Sequence, residues 1–196
     1  MAMTFSTRVH AYVGGARMVG PVATLIALLA FGPQAYADAP STQPPIQIGF
    51  SPEGSAARLV LQVIERAERE IRVMAYSFTS PEIARALVAA KRRGVDVQMV
   101  VDAGESRSRA GTAALNVLTN AGILVRLNDR YKIQHDKLII TDGKHLETGS
   151  LNYSLAAERS NSENVIVLWN RPEIVAPYLE HWRSRWDSGI PYKSTY

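Results

Sequence analysis

Short apolar runs and amphipathic stretches alternate along most of this chain, and that alternation limits what it can fold into. Residues 46–50, 71–78, 95–101, 123–127 and 164–169 are strand-length stretches rich in apolar residues, 95–101 nearly all apolar on one side. Between the first two, residues 56, 59, 60, 63, 64 and 67 are apolar, a spacing that predicts a helix over 55–69. Ser80-Pro81-Glu82 offers a capping serine, a proline at the first helical position and an acid in the first turn, and Gly94 ends that helix. After a polar loop at 102–110, a third helix runs to Asn120 and stops before Gly122. Residues 138–141 and 145–148 flank Asp142-Gly143, a hairpin signal. The last helix is predicted at 172–187, with Trp182 and Trp186 four apart on one face. Strands that alternate with helices predict an α/β domain, a mixed sheet sandwiched between helices. No long linker interrupts residues 46–196, so one domain is expected there.

The composition fits that reading, since 46% hydrophobic and 20% charged residues over 196 positions support a real core and exclude a disordered chain. Cysteine is absent, which excludes disulfides, a thiolate nucleophile and a thiolate metal site. The formal net charge is +4, which mildly favours a polyanionic partner. Residues 1–37 contain no acid, however, and they carry Arg8 and Arg17 ahead of an apolar run at 22–31 and an Ala35-Tyr36-Ala37 tripeptide. This is the pattern of a signal peptide with its cleavage site. About 10 apolar residues are too few to span a bilayer, which takes about 20. Cleavage after Ala37 would remove both arginines and lower the net charge to +2. The expectation is a periplasmic or secreted protein with no stable membrane insertion after cleavage, and an extended leader at 38–45.

The chemistry concentrates between residues 135 and 163. His135, Lys137, Asp142, Gly149, Ser150 and Asn152 follow the pattern H-x-K-x4-D-x6-G-S-x-N, present in one copy. In an extended segment His135 and Lys137 would share a face, about 6.6 Å apart, and Leu138 and Ile140 would point into the core. A histidine can act as a nucleophile, and a lysine beside it can bind a phosphate oxygen. Ser150 and Asn152 supply neutral hydrogen-bonding groups, and either could cap a helix. Glu163 precedes an apolar strand and could fix the histidine tautomer. Asp142 sits at the hairpin turn, where a structural or lysine-pairing role competes with proton transfer.

This combination resembles the phospholipase D superfamily, most closely its short bacterial endonuclease branch, and the resemblance runs from residue 46 to about 186. It implies an α/β sandwich fold and a homodimer. It also implies His135 as nucleophile, with Lys137, Ser150 and Asn152 on the phosphate, Glu163 orienting the histidine and Asp142 as the motif aspartate. Covalent phosphodiester cleavage needs a nucleophile in line with the leaving group and a proton donor opposite it. One imidazole cannot fill both places, and neither His145 nor His181 repeats the motif, so two chains sharing a site are expected. Neither an acid cluster with magnesium spacing nor a zinc set is visible, and the two lysines would supply the charge. No cofactor is expected. The leading expectation is a secreted, metal-independent endonuclease acting on nucleic acid, DNA or possibly RNA. A lipid phosphodiesterase with the same chemistry is the other reading. Basic residues at Arg107, Arg109 and 130–132 suit a polyanion better than an apolar entrance for lipid.

Overall fold

The computed structural model describes residues 7–11, 14 and 45–196. The expected signal peptide and leader lie outside the described residues, apart from 7–11, 14 and Pro45. Eight strands form one mixed sheet: β1 (Ile46–Ser51), β2 (Glu70–Ala75), β3 (Asp96–Asp102), β4 (Leu124–Asn128), β5 (Lys137–Thr141), β6 (His145–Gly149), β7 (Glu163–Leu168) and β8 (Ile190–Pro191). Their order is β1-β7-β6-β5-β2-β3-β4-β8. Strands β2, β3 and β4 run parallel, and every other pairing is antiparallel.

The helices arise where the apolar stripes predicted them. They are α1 (Ser55–Glu65), α2 (Pro81–Arg92), α3 (Arg109–Asn120), the short α4 (Leu155–Arg159) and α5 (Pro172–Ser188). Ser80 caps α2 by accepting the Ile83 N–H, with Pro81 at the first position, Glu82 in the first turn and Lys91 and Arg92 in the last. These charges lie along the helix dipole in the favourable sense. Helix α1 ends four residues sooner than its stripe suggested. The Arg69 side of the connection is taken by Asp142, whose carboxylate accepts the Glu68, Arg69 and Glu70 backbone N–H groups.

Helices α1 to α4 cover one face of the sheet, and α5 covers the other. On the first face Val60, Ile64, Ile71, Val73, Leu87, Met99, Leu115, Ile139 and Val167 form the larger core. On the second, Met74, Val100, Leu138, Ile140, Leu146, Val175 and Trp182 form a smaller one. Strand segments buried on both faces read as continuous apolar runs, as Val73–Ala75, Met99–Val101 and Leu138–Ile140 do. Trp182 and Trp186 stack at 5.0 Å. The Trp182 indole N–H also donates to the Val73 carbonyl at 3.0 Å, which fixes α5 on the centre of the sheet. Each fully buried aliphatic side chain contributes roughly 1.5–3 kcal/mol, so these two cores hold the strand ends in place for the chemistry.

Candidate active site

The topology brings one end of the sheet together from distant parts of the chain. The C-terminal ends of β1, β2, β3, β4 and β6 meet the N-terminal ends of β5 and β7 there. His135 lies in the loop just before β5, exposed rather than in the strand itself. Lys137 is the first residue of β5, only 8% exposed. Its ammonium folds back to donate to the His135 carbonyl at 2.8 Å, so the pair is tied through the backbone. Burial holds the Lys137 amine below its usual range, and the Asp136 and Glu163 charges counter this in part. Thr148 on β6 donates to the Lys137 carbonyl at 2.8 Å and fixes the strand start.

Strand β6 ends at Gly149, where the backbone of β7 comes so close that a Cβ would collide with the Asn164 carbonyl. This approach is why glycine precedes Ser150. Ser150 then donates to Glu163 Oε2 at 2.6 Å and accepts from the Asn164 N–H at 3.0 Å. Asn161 donates to the other Glu163 oxygen at 3.0 Å. The tautomer-fixing bond expected from Glu163 to His135 is therefore not what this carboxylate makes: it is engaged by Ser150 and Asn161, and its charge reaches Lys137. Asn152 has a buried amide oxygen with no partner, so its side chain is not committed to holding the fold. Neither Ser150 nor Asn152 caps a helix. That task falls to Ser154, which accepts the Ala157 N–H at the start of α4.

Asp142 does not join this group. It lies at the far end of β5, five residues from Lys137, or about 16 Å along a strand. The Lys144 N–H closes the turn on the Thr141 carbonyl, and Asp142 and Gly143 sit at φ 56° and 67°. Burial raises the Asp142 carboxyl, but the N–H groups of Arg69, Glu70 and Glu68 and the Lys144 charge outweigh it and hold the group below its usual range. The catalytic assignment of Asp142 is thus corrected to a structural one: its carboxylate pins the α1–β2 connection to the hairpin.

Two residues that the sequence did not single out, Tyr76 and Asp102, border the site. Tyr76 follows β2, and its ring lies 4.6 Å from the His135 ring, tilted by 56°. Asp102 ends β3, is 4% exposed and accepts two backbone N–H groups, from Glu105 on one oxygen and Gln134 on the other, both at 2.8 Å. Gln134 immediately precedes His135, so Asp102 anchors the histidine loop. Behind the site, Glu147 and Tyr153 form a buried pair at 2.7 Å. Burial pushes the Glu147 carboxyl up to about 8, against the opposing effect of the Tyr153 hydrogen bond. The signal for Tyr76 was an aromatic residue directly after an apolar strand, but its meaning depends on which strand lies beside it. Among the described residues no group of three or more His, Cys, Asp or Glu side chains comes together to hold a metal.

Comparison with known proteins places the chain in one family. A family model described as "Cardiolipin synthase, PLD-like domain" matches residues 60–186. A crystal structure of a phospholipase D family member, Nuc from Salmonella typhimurium, is 52% identical, with a TM-score of 0.76 over 78% of this chain and 100% of that one. "Phospholipase D" of Rickettsia felis is 35% identical over 136 residues, 69% of this chain and 66% of its own length. "Mitochondrial cardiolipin hydrolase" of Xenopus laevis is 30% identical over 139 residues, 71% of this chain and 64% of its own length. The chain thus spans just under two thirds of these curated relatives. NucT from Helicobacter pylori shares the fold at 21% identity and a TM-score of 0.64. With residues 60–186 matched, and an exposed histidine beside a buried lysine at the sheet end, the chain belongs to the phospholipase D-like family.

Proposed function

We propose that this protein is a metal-independent endonuclease that cleaves nucleic acid through a phosphohistidine, working as a homodimer outside the cytoplasm. The observation that carries the reading is the single cluster at the sheet end: exposed His135, the Lys137 ammonium, Ser150 with Glu163, and the uncommitted Asn152. A His135 ring nitrogen attacks phosphorus, and the P–O bond to the leaving strand breaks. The departing oxygen takes a proton from the partner subunit's His135. That imidazole, now neutral, removes a proton from water as the water oxygen attacks phosphorus. The P–N bond breaks and His135 is restored. Lys137 from each chain offsets the charge on the phosphoryl oxygens, and Asn152 and Ser150 orient them.

A dimer is supported by an uncovered apolar face. Ile46, Ile48 and Phe50 on β1 are 45%, 61% and 53% exposed. Their cross-strand neighbours on β7 are Leu168, Ile166 and Asn164. Among the described residues, helix α5 lies over β2 to β6 and not over this edge. The strand ends at Ser51, paired with Glu163, so a second copy seated on this face would bring its own site end close. Nucleic acid is favoured over lipid by the exposed Arg107, Arg109, Arg130 and Lys132 around the same end. The signal-peptide pattern of residues 1–37 supports export.

The test is to incubate purified protein with plasmid DNA, RNA and phosphatidylcholine vesicles in EDTA. DNA or RNA should be cut with chelator present, and His135→Ala should abolish cutting while remaining folded. Mixed dimers of wild-type and His135→Ala chains should be severely impaired rather than half active. Hydrolysis of lipid alone would replace the substrate assignment, and activity that returns only with magnesium would overturn the mechanism.

A further inference from the structure

We propose that Tyr76 is a positioning residue of the active site, whose ring sets the orientation of the His135 imidazole and roofs the Lys137 ammonium. This rests on the reading of His135 as nucleophile. The placement follows from register. Ala75, the last residue of β2, is paired with Lys137, the first of β5. The next residue on the β2 side must therefore lie over the loop that carries His135.

The need for such a group is physical. His135 is exposed, and an exposed side chain is free to change rotamer. An attacking nitrogen must instead be held in line with the phosphorus–oxygen bond to be broken. Glu163, the expected restraint, is bonded to Ser150 and Asn161. The ring that packs on the imidazole is Tyr76, at 4.6 Å between centroids. The same ring lies 5.3 Å from Lys137 Nζ, within the range of a cation–π contact. One aromatic ring thus bears on both the proposed nucleophile and the proposed phosphate-binding cation.

The phenol end lies near two carboxylates, Glu105 and Asp102. Its acidity is lowered first by the Glu105 charge, then by burial, by Asp102 and by a hydrogen bond to Glu105. The Glu105 backbone N–H is itself held by Asp102, and Asp102 also holds Gln134 next to His135. Asp102 thus ties the turn that carries Glu105 to the loop that carries His135, next to the phenol end of Tyr76.

The experiment compares Tyr76→Leu and Tyr76→Phe, with turnover of bis(p-nitrophenyl) phosphate and proton spectra of the histidine rings as readouts. The chain has four histidines, and the spectrum of His135→Ala identifies the His135 signals by difference. In the wild type these signals should be displaced upfield by the ring current of Tyr76. Tyr76→Leu should abolish the displacement and lower kcat by roughly 10- to 100-fold, the cost of a nucleophile out of line, with KM little changed. Tyr76→Phe should keep the displacement and recover most of the lost kcat. Wild-type kcat in Tyr76→Leu, a defect confined to KM, or a Phe variant as slow as the Leu variant would overturn the proposal. So would wild-type His135 signals with no upfield displacement, a measurement that needs no variant of Tyr76 to fold. If the wild type hydrolyses no phosphodiester, the functional reading fails, and the spectra still decide whether Tyr76 holds His135.

Discussion

Replacing Asp142 by alanine should destabilise the protein strongly and leave the chemistry intact. Three backbone donors, the N–H groups of Glu68, Arg69 and Glu70, converge on this carboxylate at 2.8–3.3 Å. Each such bond contributes about 1 kcal/mol net in a folded protein, so losing three costs about 3 kcal/mol. Residue 142 also sits at φ 56°, and an alanine held there costs about 1 kcal/mol more. A total near 4 kcal/mol corresponds to a fall in Tm of about 8–16 °C for a domain of this size. Asparagine tolerates the left-handed backbone and keeps a neutral acceptor, so Asp142→Asn should lose about half as much. The folded carboxyl lies below its usual value, so its stabilising effect is complete above the unfolded pKa of roughly 3.9 and is lost as pH falls through the lower folded value. The gap in stability between wild type and Asp142→Ala should therefore narrow in strong acid. Thermal melts across pH, paired with turnover well below the melting temperature, test this. A variant that melts like the wild type yet loses kcat as completely as His135→Ala would refute the structural assignment.

Glu147 should give the opposite pH dependence. Its folded carboxyl is raised to about 8, so the protein should lose up to about 1.4 kcal/mol per pH unit as pH climbs from the unfolded value toward 8. Glu147→Gln keeps an acceptor for the Tyr153 hydroxyl and should flatten that slope in urea titrations; an unchanged slope would point to another group. Gly149→Ala should force β6 away from the Asn164 carbonyl, lowering both Tm and activity, and an alanine variant with wild-type kcat would mean that the close approach is dispensable.

Much of the architecture was legible because buried strands and amphipathic helices leave different periods in the chain. The strands around Val73, Val100 and Ile139 and the capped start of α2 at Ser80 are examples. Helix α4 and strand β8 escaped because five and two residues are too short to show a period. His135, Lys137, Ser150, Asn152 and Glu163 were recognisable as a pattern and do gather at one end of the sheet. Asp142 belongs to the same spacing but ends up at the other end, because a hairpin separates residues that lie close in sequence. Tyr76 and Asp102 were invisible for the converse reason. Their relation to His135 exists only once β5 pairs with β2 and the 129–136 loop folds back over β3, and no local period encodes that register.

The two oxygens of Asp102 have a kinetic consequence. One restrains the turn at Glu105, beside the basic residues Arg107 and Arg109, and the other restrains the segment that presents His135. Both loops hang on a single buried carboxylate, so releasing either amide leaves that group partly unsatisfied and weakens the hold on the other. The two amides should then exchange with solvent as one cooperative unit, with similar protection and a common response to ionic strength. A polyanion that grips the basic turn would, by the same linkage, tighten the histidine loop before any bond is broken.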